Sequence, residues 1–132
     1  MEYRDLRTLE EIVAARGRFG HREHLELAWS YLERYPAPTA AQTMASAIRH
    51  LAAAHGDASK YHETLTLAWV GLVAVHRERR PAATFEQFLS LNQELLDQRL
   101  LDGHYSAATL WSDEARSVLV APDLRALPQL AA

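Results

Sequence analysis

The chain has 132 residues, of which 48% are hydrophobic and 23% charged. This is the composition of an ordinary globular domain large enough to bury a core. Fourteen basic residues stand against seventeen acidic ones, a net charge of −3, and the only basic run, Arg77–Arg80, is interrupted by Glu78. A nucleic-acid partner is therefore not expected. The absence of cysteine removes disulfides, thiolate ligands and cysteine nucleophiles.

Helix signals follow one another from end to end, with no alternating strand pattern. Thr8-Leu9-Glu10-Glu11 has the spacing of a capping box and opens a first helix to about Arg16, broken by Gly17 and Gly20. A second helix runs from about His21 to Tyr35 and stops at Pro36 and Pro38. Thr39-Ala40-Ala41-Gln42 opens a third, ending at His55 with Gly56 as its cap. Ser59 is the expected cap of a fourth, about Lys60 to Glu78. Thr84-Phe85-Glu86-Gln87 opens a fifth, to about Arg99 with a break at Asn92. Ser112 caps a last short helix, and Pro122 and Pro128 leave an irregular tail over about 122–132. The expected fold is all-α: a single domain over 1–132, a bundle of five to six helices with an up-down core of four. The apolar stretch Leu65–Val75 is too short to cross a bilayer, and the charged start Met1–Asp5 does not read as a signal peptide. The expected location is the cytoplasm, with no membrane partner.

On a wheel of the second helix, Arg22, Glu23, Glu26, Ser30, Glu33 and Arg34 form the polar face, whereas His21 and His24 fall in the apolar arc. His55 falls on the core stripe of Met44, Ile48 and Leu51. The fourth helix is apolar almost all round, and His62 and Glu63 share its shielded strips. In an up-down arrangement the starts of the second and fourth helices meet at one end with the ends of the third and fifth. His21, His24, His55, His62, Glu63, His104 and Tyr105 are then expected together, with His50 and His76 elsewhere.

Imidazole and carboxyl groups facing a core are costly unless paired or used. Two histidines three apart share a helix face, so His21 and His24, with His62 and Glu63 opposite, form a candidate site for zinc, iron, manganese or copper. The metal-free alternative makes His62 a general acid or base oriented by Glu63. In that reading Lys60, Tyr61, His55, His104 and Tyr105 bind the ligand, an anion being favoured by the two helix N-termini. No Gly-rich phosphate loop supports a nucleotide cofactor. The leading expectation is a small cytoplasmic enzyme acting on a small organic molecule, by a divalent metal or by acid–base chemistry. The alternative is a non-catalytic binding or assembly module with structural histidines. An apolar fourth helix also predicts a homodimer, with Leu67, Gly71, Ala74 and Val75 facing the second copy.

The segments His21-Arg-Glu-His24-Leu25, Leu27-Ala-Trp29, Lys60-Tyr-His-Glu-Thr64 and Tyr105-Ser106 resemble a group of small bacterial all-helical proteins of unknown function. The resemblance spans about residues 19 to 123. It implies a helical fold and brings no reaction with it, so no catalytic residue follows from it.

Overall fold

The computed structural model describes residues 2–130. Among them there is helix and irregular chain but no strand. Helix α1 spans Tyr3–Arg16, α2 His21–Arg34, α3 Ala37–Ala54 and α4 Glu63–Arg79. Three short helices follow, α5 at Phe85–Leu91, α6 at Ala107–Leu110 and α7 at Asp113–Ser117, with 3-10 turns at Ala58–Lys60, Gln93–Leu96 and Gln98–Gly103.

The breaks have local causes. Gly17 ends α1 in the left-handed region at φ 72°, its N–H reaching Val13 O at 2.8 Å. Tyr35 is extended before Pro36, as the residue before proline prefers. Pro38 sits in the first turn of α3, where its missing N–H removes no helical bond. Gly56, at φ 78°, and Asp57 close α3 by donating to Ala53 O and Ala52 O, each at 3.0 Å. Thr84, Ser106 and Ser112 cap α5, α6 and α7 with their hydroxyls.

Helices α2, α3 and α4 pack on one another, and α1 lies across α2 and α3. Leu25, Tyr31, Met44, Ala47, Val70 and Val73 are buried among them. At the far end, Asp5 is buried and binds Arg34 and the Tyr35 hydroxyl, the latter at 2.8 Å, while Tyr31 donates to its carbonyl at 2.7 Å. These bonds explain why α1 begins at Tyr3 rather than at Thr8, whose hydroxyl instead donates to Arg4 O within the helix.

Two other expectations need correcting. The fifth helix does not reach Arg99. Asn92, fully buried, turns its Nδ2 back onto Phe88 O at 2.9 Å and ends α5, so 3-10 turns replace the fourth long member of an up-down core. The apolar girth of α4 is also covered from within the chain. Ala74 and Val75 are 5% and 2% exposed. Helix α7 packs on α4, and the Thr64 hydroxyl donates to Val118 O at 2.8 Å and accepts from Val120 N–H at 3.1 Å. The premise of the homodimer, that a single chain leaves this helix uncovered, does not hold.

Of the four residues expected to face a second copy, only Gly71 is exposed, and a Cβ built there meets nothing within 4 Å. Gly71→Ala should therefore stabilise the protein by about 0.5–1 kcal/mol in a urea melt, since glycine weakens a helix interior by that much. Ala74→Glu should unfold the protein rather than release soluble monomers. A folded, soluble Ala74→Glu protein in gel filtration would show that this face does not belong to the core.

Candidate functional site

A cavity of about 380 Å³ opens where α2 and α4 begin. Gly20, His21 and His24 contribute from α2 and its cap, Met44 and Ile48 from α3, and His62, Leu65 and Trp69 from the start of α4. Its remaining wall comes from the irregular segment after α5, through Gln98, Leu101, Asp102, Leu110 and Trp111. His21, His24 and His62 are thus brought to one cavity, and neither His50 nor His76 lines it.

Each imidazole there has a definite partner. His21 donates from Nε2 to Leu95 O at 2.8 Å and stands edge-on to Trp69, with ring centroids 4.5 Å apart. A carbonyl only accepts, so the proton must be on Nε2, and in the neutral ring Nδ1 is a lone pair. His24 is the mirror case: Nδ1–H goes back to Gly20 O at 3.1 Å, and Nε2 has no hydrogen-bond partner among the described residues. Burial against Phe19, centroids 4.6 Å apart, pushes its pKa below the usual imidazole value, and the bond to Gly20 only partly offsets this.

His62 differs in having both nitrogens used. Helix α4 starts one residue after it, not at Lys60, and Nδ1 of His62 is the N-cap acceptor for Leu65 N–H at 3.0 Å. Nε2–H donates to Leu110 O at 2.7 Å. The ring also meets Trp111 edge-on at 5.3 Å. Burial lowers its pKa, and the Arg116 charge adds to that. Ser59, the cap expected from the sequence, is instead turned onto the Asp57 carboxylate.

Glu63 does not line the cavity. It accepts from Arg49 Nη2 at 3.0 Å and from the Tyr61 hydroxyl, and the Arg49 guanidinium lies over the Tyr61 ring at 4.7 Å. Burial first, and then the bond to Glu63, raise the Tyr61 pKa well above that of an ordinary phenol. Tyr61 and His55 line a neighbouring cavity, also of about 380 Å³, which shares His24, Ile48 and Lys60 with the first. His104 and Tyr105 lie outside both. His104 binds Arg125 O and Ala126 O at 3.0 and 3.1 Å, and Tyr105 donates to Val120 O at 2.7 Å, so the pair anchors the tail.

The four-residue metal set His21, His24, His62 and Glu63 is accordingly not assembled. Among the described residues no group of three or more His, Asp or Glu side chains is arranged to hold a metal ion. To complete one, His62 would have to release the Leu65 N–H or Leu110 O, and Glu63 would have to leave Arg49. The residue that the wheel misplaced is Glu23. It is 1% exposed rather than on the polar face, and it accepts from Gly20 N–H at 2.8 Å. The spacing Gly20-x-x-Glu23, half of a capping box, was the available signal. No protein-family model, curated protein or solved structure matches this chain.

His62→Ala removes a helix cap and a buried tie, and should cost about 2–4 kcal/mol. His62→Asn, whose amide oxygen can still cap α4, should recover roughly 1 kcal/mol of that in the same melts; equal losses would show that capping is not what His62 does. The folded pKa values of His24 and His62 lie below the unfolded value of 6.5. Stability is then complete above pH 6.5 and falls as the pH drops toward the folded values, because the unfolded chain takes up protons first. Melting temperature recorded from pH 8 to 5 should decline over that window, and less steeply in His62→Asn.

Proposed function

We propose that the protein binds a small, largely apolar organic molecule in the cavity between the starts of α2 and α4, with His24 as its acid–base residue. The observation that carries this reading is the unequal use of the three imidazoles. His62 is held by bonds on both nitrogens, whereas His24, which lines the cavity with Met44, Ile48 and Trp69, keeps an unbonded Nε2. A volume of about 380 Å³ is within the range of small-molecule sites, which are mostly apolar with few polar groups. A half-buried imidazole kept neutral is suited to accept a hydrogen bond or a proton from what it holds. The proton-transfer role expected of His62 and Glu63 therefore passes to His24, with His21 beside it on the same helix face. The enzyme reading and the binding reading share this site and differ only in whether the bound molecule is changed.

The test uses toluene, which fits the apolar wall and has no polar group. The chain has two methionines, and Met44 lines the cavity. In protein labelled at the methionine methyls, the Met44 signal should shift saturably with millimolar toluene, together with the indole N–H of Trp69. No saturable shift at either group would remove the cavity as a ligand site.

A further inference from the structure

The polar groups of the cavity also select the head group of the ligand. The protons of its imidazoles are already engaged: His21 gives Nε2–H to Leu95 O, His24 gives Nδ1–H to Gly20 O, and His62 gives Nε2–H to Leu110 O. What remains unpartnered on the two α2 histidines is a pair of lone pairs, Nδ1 of His21 and Nε2 of His24, three residues apart on one helix face. Lone pairs accept; they do not hold a carboxylate or a phosphate.

The helix starts that could draw an anion are already supplied by the chain. Glu23, buried beside His24, occupies the first turn of α2 through Gly20 N–H at 2.8 Å. At α4, His62 caps the Leu65 N–H and Glu63 lies in the first turn. Among the residues lining the cavity the cation is Lys60, exposed on its 3-10 turn, where water screens it. The carboxylate is Asp102, whose partner Arg99 is 3.5 Å away and 87% exposed. An exposed pair this long contributes little, so Asp102 is open to a second cation, but its side chain is 59% exposed and water screens it at the rim as it does Lys60. Trp69 and Trp111 also line the cavity, the Trp111 ring already carrying the Arg116 guanidinium at 5.9 Å.

We propose that the ligand is an amine: an apolar, ring-sized body carrying a protonated nitrogen that donates to His21 Nδ1 and His24 Nε2, with Asp102 at the rim. An ammonium has three donors and no acceptor, the complement of two lone pairs and a carboxylate. This inference rests on the cavity being the ligand site, and it identifies the chemistry that site takes.

The experiment compares three probes built on the toluene skeleton: 2-phenylethylamine, 2-phenylethanol and 3-phenylpropanoate. Each is titrated at pH 7.5 into the intact protein, with the Met44 methyl as the readout. The amine should bind tightest, by about tenfold or more over the propanoate, as expected for one satisfied against one opposed polar contact. His24→Phe keeps an aromatic ring and removes the lone pair; it should weaken the amine about tenfold more than it weakens toluene. Propanoate binding as tightly as the amine, or the alcohol binding tighter than the amine, would overturn the proposal while leaving the cavity a ligand site. So would unchanged amine affinity in His24→Phe. If toluene and all three probes leave Met44 unmoved, the cavity reading fails and the amine goes with it.

Discussion

The imidazole of His62 holds together the two parts from which the site is built. One nitrogen ends the backbone of α4 and the other holds Leu110, forty-eight residues further along. A neutral imidazole is a donor on one side and an acceptor on the other, and here both sides are satisfied in a buried setting where an unpaired group would be expensive. Serine or threonine could cap the helix but could not also span to Leu110 O. Because the ring is fixed, Trp111 is held beside it, and the segment from Gln98 to Trp111 becomes a wall instead of a loose loop.

A second layer of polar contacts works in the same direction. Thr64, next but one after His62, joins Val118 and Val120, and Tyr105 reaches Val120 from the other side. The Asp123 carboxylate accepts from the Ser106 N–H and hydroxyl and from Thr109, which hold its pKa down to about 2. The C-terminal third of the chain has few long helices of its own. It is fastened to α4 by named side chains and covers an otherwise exposed apolar face.

The sequence made the long helices legible because their signals are strong and local: apolar spacing on one side, glycine or proline at the ends. Thr84 and Ser112 do cap the helices they precede. Helix faces and chain direction bring His21, His24 and His62 to one end, but the same argument puts His55, Glu63, His104 and Tyr105 with them, and none of those four lines the cavity. The roles of the three histidines were not legible, because a wheel shows which way a residue faces but not what its nitrogen meets. Glu23 was placed on the outside for the same reason. In a first turn a side chain can fold back over the helix end, and Gly20 N–H gave it a partner there. Ser59 resembles a cap and would start α4 at Lys60; the real start, at Glu63, is set by a histidine, an uncommon N-cap. Asp102, Gln98 and Trp111 were invisible as site residues, since their segment has no periodicity and is placed only by its ties to α4. The same applies to Asp5, whose burial depends on Arg34 and Tyr35 a helix away.

The construction of the cavity wall has a kinetic consequence. Three sides of the cavity belong to the packed helices α2, α3 and α4, while the fourth is joined to them largely through carbonyl oxygens and a few side chains. A unit attached in this way opens at a lower free energy than the core behind it. Gln98, Asp102 and Trp111 of that wall are exposed, Trp111 by 52%. The cavity already opens to solvent at the helix starts, so entry requires no unfolding of the three-helix core. Whatever occupies the cavity holds the fourth wall in place by mass action. Amide exchange in residues 98–120 would therefore slow with occupancy, while exchange in the core helices stayed the same.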